Sequence, residues 1–159
     1  RSTGGQLMVT YQAENYTDVI GEAGPLLVAH WQDVALDQDT IDLQPDWEKY
    51  EILNNANKLH ITTARETSTG KLVGYVVYIL DNCLHYKQVN MADGDIFWLD
   101  PEYRKGLTGV KLLKSAEKYL VGLGVNKIFN KVKLHKDVGK IFERLGYTPI
   151  ERVYAKGIK

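Results

Sequence analysis

Residues 100–120 read "DPEYRKGLTGVKLLKSAEKYL". A Pro, an Arg-Lys pair and two glycines lead directly from the apolar run "DIFW" into an amphipathic helix. From Thr108 to Leu120 the apolar residues Val110, Leu113, Ala116 and Leu120 follow helical spacing. A helix start carries unpaired N–H groups and about half a positive charge, so this junction suits phosphate oxygens. Glycine lets a backbone approach closely, and Arg104 and Lys105 add charge there. A plain strand-to-helix turn has the same residues, so the junction alone leaves both readings open. The spacing G-x-x-x-x-G-K-[ST] is absent, and no strand-ending G-x-G-x-x-G occurs.

Outward from this junction the chain reads as one mixed sheet flanked by helices. "MVTYQAEN" alternates as a first strand, and residues 17–31 read as a helix that Gly24-Pro25 could restart. "LDQDTIDLQ" is an acidic loop before a second helix opened by Pro45, with Trp47, Tyr50 and Leu53 on one face. "KLHITTARE" and "KLVGYVVYIL" form a hairpin across "TSTG", and "GDIFWLD" follows as a strand. After the helix at 108–120, "NKIFNKVKL" reads as a strand. Val138, Ile141, Phe142 and Leu145 mark a short helix, and "TPIERVYAK" a closing strand. The order predicted is β-α-α-β-β-β-α-β-α-β, with a right-handed parallel crossover around residue 110.

Composition sets outer limits. The 159 residues fit one domain, expected over 8–159, with residues 1–7 an expression remnant ahead of Met8. One cysteine, Cys83, rules out an internal disulfide and fits a reducing, cytoplasmic setting. The histidines at 30, 60, 85 and 135 lack metal-ligand spacing, and "DQDTID" lacks the Gly and Glu of a calcium loop, so no metal is expected. No apolar run approaches a membrane span. Net charge is zero, yet residues 1–102 hold 6 Lys+Arg against 16 Asp+Glu, and residues 103–159 hold 14 against 4. The second part is suited to a polyanion and the first to a cation. Without a recognition module, nucleic acid is a weak third choice.

"DPEYRKGLTGVKLL" after an apolar strand, followed by a second strand and "VGKIFERLGY", resembles the GCN5-related N-acetyltransferase (GNAT) family over essentially residues 8–159. The "HW", "HYK" and "DPE-R" layout resembles small phage- or prophage-encoded members. The resemblance implies an α/β acyl-CoA N-acyltransferase fold, with a mixed six- to seven-stranded sheet and about four helices. It also implies acetyl-CoA as cofactor and a primary amine as acceptor. The family's pyrophosphate loop Q/R-x-x-G-x-G/A falls on Arg104, Lys105, Gly106, Leu107, Thr108 and Gly109, with Leu107 where the first glycine is expected. Phe97, Trp98 and Leu99 would pair with the pantetheine arm through their backbone, and His135 stands where members carry an Asn near it.

Acyl transfer to an amine needs a base, because a lysine amine has a pKa near 10.4, and a donor for the developing oxyanion. By resemblance Asp95 is the base, with His85 as its competitor, and a backbone N–H near Trp98 or Leu99 meets the oxyanion. The family's usual tyrosine acid is Phe142 here, so Tyr147 and Tyr86 are the remaining acid candidates, or the thiolate leaves unassisted. The acidic stretch 33–48 would wall the acceptor groove opposite the phosphates and favour a cationic acceptor, such as a lysine of a host protein. The chain is expected to act as a monomer or homodimer. A CoA-binding protein that acts by contact alone is the alternative.

Overall fold

The computed structural model describes residues 8–158; the expectation about residues 1–7 lies outside them. Five strands form one sheet in the order β1 (Val9–Ala13), β2 (Leu59–Glu66), β3 (Leu72–Asn82), β4 (Asn90–Leu99) and β5 (Lys127–Phe129). The first four pair antiparallel, and β4 with β5 is parallel. Helices α1 (Tyr16–Val34) and α2 (Trp47–Asn55) cover one face, and α3 (Thr108–Gly122) and α4 (Gly139–Arg144) the other. No helix among the described residues is long and apolar enough to cross a membrane.

A sheet covered on both faces explains why β3 is nearly continuous in apolar residues rather than alternating. Val73, Val76 and Tyr78 pack with Leu112, Leu113 and Ala116 of α3. Leu72, Tyr75 and Val77 pack with Tyr16 and Val19 of α1. Arg65 of β2 ties the layers at one edge: its guanidinium grips both Glu14 oxygens at 2.8 and 3.0 Å and reaches Glu22 of α1 at 2.9 Å. The fork geometry of arginine suits such bidentate pairing.

Three sequence expectations need correction. Helix α1 does not restart at Gly24-Pro25 but runs through Pro25. β5 is only three residues long. "TPIERVYAK" forms no strand: residues 148–158 are irregular, with Ile150, Val153 and Tyr154 exposed. The sheet thus has five strands rather than six or seven: the segment pairs with neither β1 nor β5, the two edge strands, and its apolar residues stay exposed.

Two histidines lie in the layers. His30 of α1 shares a 3.1 Å hydrogen bond with the Tyr75 hydroxyl, and His60 of β2 a 2.8 Å bond with Thr62. Burial disfavours their charged forms and pushes both pKa values from 6.5 to about 4. The unfolded chain therefore takes up protons near pH 6.5 while the folded chain does not. That stability is complete above pH 6.5 and is lost as pH falls towards 4. The depressed carboxylates Glu14 and Asp33 lose theirs only below their ordinary values of 4.5 and 3.8. Unfolding free energy from urea titrations should therefore fall between pH 6 and 5, with a slope approaching about 1.4 kcal/mol per pH unit for each histidine. A flat profile in that window would mean that neither histidine is held neutral by the fold.

Candidate active site

The site begins where β4 stops being a regular strand. Val77 faces Ile96 but Tyr78 faces Gly94, so Asp95 is an extra residue, a β-bulge. The bulge shifts the alternation of faces. Ala92 lies with α3, whereas Ile96 and Trp98, of the same parity, lie with α1. Asp95 and Ile96 are consequently both turned to the α1–α2 side. There the Tyr50 hydroxyl of α2 donates to Asp95 Oδ2 at 2.6 Å. Burial, and then the Asp95 carboxylate, raise the Tyr50 pKa far above its ordinary value, so the phenol remains a donor.

At the same point the sheet opens. β5 pairs with Met91, Ala92 and Asp93 and then leaves β4. Residues 94–99 of β4 keep a backbone edge with no strand beside it. The Asp100 N–H donates to Val73 O on the β3 side. By strand alternation the Trp98 amide points the same way, and those of Phe97 and Leu99 point to the open edge. Of the two oxyanion donors expected from sequence, Leu99 is therefore the one facing the opening.

The open edge leads up to the start of α3. Gly106 adopts φ +70°, the left-handed turn that brings the chain into the helix. Leu107 is the N-cap and offers no side-chain hydrogen bond, so the amides at the start of α3 have no cap from the chain itself. This is where the sequence placed an anion. Phe97 and Phe142 meet edge-on at 6.1 Å below it, and Gly109 lies beside Phe97 and Ile141. An extended edge for amide pairing, ending at uncapped helix amides, fits a pantetheine arm and its pyrophosphate.

Arg104 plays a different part from a free phosphate ligand. Its Nε donates to Leu99 O at 2.7 Å and its Nη2 to Asp33 at 2.7 Å. Asp33 also accepts from Lys136 Nζ at 3.3 Å. The carboxylate from the end of α1 thus ties the loop before α3 to the turn after β5, and both cations hold its pKa below the usual carboxylate range. Asp33 does not wall a groove opposite the phosphates; it sits among the loop's own cations. Lys105 and His135 are exposed near these turns.

The remaining candidates are scattered. His85 and Tyr86 sit exposed in the β3–β4 turn beyond Asn90. Five residues of strand, roughly 17 Å, separate that end from Asp95. The structure does not bring them together. Phe142 is buried against Phe97, and Tyr147 packs on its other neighbour contact at 5.6 Å, where burial and Glu117 of α3 raise its pKa. Tyr50 is the phenol at the carboxylate. Sequence reading saw it only as part of an apolar helix face, and its four-residue step from Asp46, the N-cap of α2, gave no sign of a polar partner. Among the described residues no group of His, Cys, Asp and Glu could hold a metal.

The Acetyltransferase (GNAT) family profile matches residues 25–147. No curated protein matches by sequence. Among solved structures, ribosomal-protein-alanine N-acetyltransferase from Brucella melitensis biovar Abortus 2308 superposes with TM-score 0.70 at 17% identity, covering 96% of this chain and 100% of that one. An aminoglycoside acetyltransferase from an uncultured soil metagenomic sample gives 0.70 at 17%, covering 96% and 97%. AAC(6')-Iy, bound to the bisubstrate analogue CoA-S-monomethyl-acetylneamine, gives 0.64 at 15%, covering 96% and 99%. The bulged strand, the open edge and the uncapped helix lie within the matched span, and the chain belongs to the GNAT family of acetyltransferases, enzymes that use acetyl-CoA.

Proposed function

We propose that this enzyme transfers acetyl from acetyl-CoA to a primary amine that arrives as a cation, a protein lysine or another cationic amine. The observation that carries this reading is Asp95, an exposed carboxylate on the bulge, where β4 and β5 part. Bound acetyl-CoA would supply a thioester carbonyl for attack. Asp95 attracts the ammonium ion and takes its proton, directly or through water. Tyr50 fixes one carboxylate oxygen by its 2.6 Å bond, leaving Oδ1 for the amine. The Leu99 N–H, on the open edge, is the donor for negative charge growing on the carbonyl oxygen. No phenol is assigned as acid, since a thiol of pKa about 8.5 leaves readily as thiolate.

The α1–α2 loop supports a cationic acceptor. Asp37, Asp39 and Asp42 are exposed there and form no ion pair among the described residues. Their field raises the local concentration of ammonium ions and fades with salt. The layout that the chain shares with small phage-encoded members supports action in a host cytoplasm, with a host protein among the possible acceptors.

Two measurements test this reading. CoA at millimolar concentration should raise the melting temperature, as any ligand of the native state does. Gly109→Pro removes one uncapped amide in the first turn of α3, so it should shrink that shift, read against the variant's own melting temperature without ligand. An unchanged melting temperature with CoA would remove the cofactor assignment.

For the chemistry, Asp95→Asn should slow acetylation about 100-fold with the CoA shift intact, and Tyr50→Phe should slow it less. His85→Ala should leave the rate unaltered. Full activity in Asp95→Asn, with loss in His85→Ala, would transfer the role of base to His85. CoA binding with no turnover of any amine would favour a protein acting by contact.

A further inference from the structure

Beside Asp95 a cleft enters the layer between α1, α2 and the sheet. Tyr16 and Ile20 of α1, Trp47 and Tyr50 of α2, Tyr75 of β3 and Ile96 of β4 line it. No charged side chain contributes to its walls. Tyr16 and Tyr50 stack at 6.2 Å with planes 8° apart, and Trp47 tilts against Tyr50 at 6.1 Å. The Tyr16 hydroxyl is spent on Trp47 O at 3.3 Å and that of Tyr75 on His30 at 3.1 Å. The inner walls therefore present ring faces and aliphatic carbon, with Trp47 at the rim 38% exposed. The cavity measures about 40 Å³, room for roughly three methylene- or water-sized groups.

Tyr50 joins this cleft to the chemistry. Its ring is a wall and its hydroxyl holds the Asp95 carboxylate. Ile96, the next residue after the carboxylate, is another wall. An amine held at Asp95 thus has charge complementarity at its nitrogen and only apolar surface one step inward. Each methylene moved from water into such surface is worth about fourfold in binding. A second ammonium group in the same place would lose its water without gaining a partner.

From this arrangement we infer that the acceptor is a monoamine: one ammonium group on a short unbranched alkyl stem that enters the cleft, with no second charge along that stem. The inference rests on the amine-acetylation reading and narrows its acceptor class. It makes Tyr16, Trp47 and Tyr75 specificity determinants, with Tyr50 serving both stem and base.

The test is a steady-state series with acetyl-CoA and ethylamine, propylamine, butylamine, hexylamine and 1,3-diaminopropane, with a lysine-containing peptide run beside it. The expected result is a gain in kcat/KM of about fourfold per methylene, carried by KM, up to the length that fills the cleft. The gain should stop at about three methylenes, so hexylamine should not exceed butylamine by more than about fourfold, and 1,3-diaminopropane should fall at least tenfold below propylamine. Ala23, on the α1 wall, gives a second handle: Ala23→Leu fills the cleft and should abolish the gain with stem length. Retention of the CoA thermal shift would certify that this variant is folded. Turnover that is flat with stem length, 1,3-diaminopropane as good as propylamine, or turnover of the lysine peptide with none of the small amines overturns this inference alone. Absence of turnover with the peptide and every amine overturns the acetylation reading and this inference with it.

Discussion

The site depends on one tight passage, that of β4 beside the end of β5. A Cβ on residue 94 would lie 3.0 Å from Phe129 O and 3.2 Å from Asn130 Oδ1, so glycine lets the two strands meet there without pushing either aside. That contact is the crotch of a fork. Below it the strands are paired; above it they diverge and leave the edge of β4 free. The bulge falls on the very next residue, so the same few atoms set the opening, turn Asp95 towards Tyr50 and fix which amides face the gap. A buried polar group marks the spot as well. Asn130 accepts from the Tyr78 hydroxyl at 2.8 Å, yet its buried Nδ2 has no partner.

The upper end of the fork is governed by charge. Sequence counts alone put a surplus of ten positive charges in residues 103–159, which suggested a reservoir waiting for phosphate. The structure spends part of it internally. Arg104 is committed to Leu99 O and Asp33, and Asp33 also draws in Lys136. These exposed and half-exposed ion pairs add little to stability individually. Their effect is positional: one carboxylate from α1 sets the spacing of two loops from opposite prongs. On the proposed reading, anion recognition rests chiefly on the uncapped backbone amides and Lys105.

Most of the architecture was legible because periodicity and turn residues agree with burial. The hairpin of β2 and β3, the amphipathic α3 and the glycine before it all stand where the pattern put them. What was hidden depends on register or on distant partners. A bulge at Asp95 leaves no trace in composition, and the Tyr50–Asp95 bond spans 45 positions along the chain. His85 looked close to the chemistry because adjacent strands place a turn beside the next strand's start, but the length of β4 moves Asp95 well beyond that start. "TPIERVYAK" has strand chemistry without strand structure, since alternation describes only what a segment can pair with.

The brevity of β5 bears on how the molecule assembles and breathes. The strands β1 to β4 are joined by wide antiparallel ladders, whereas β5 is held by three residue pairs after the long crossover through α3. A parallel strand that must wait for such a loop to close comes late on the folding path. In the native state the same prong is the most lightly held strand of the sheet, and local opening favours such units. The slot is thus the part built last and held most lightly, while the carboxylate stays on the part of the sheet that forms early, with its phenol on the helix beside it.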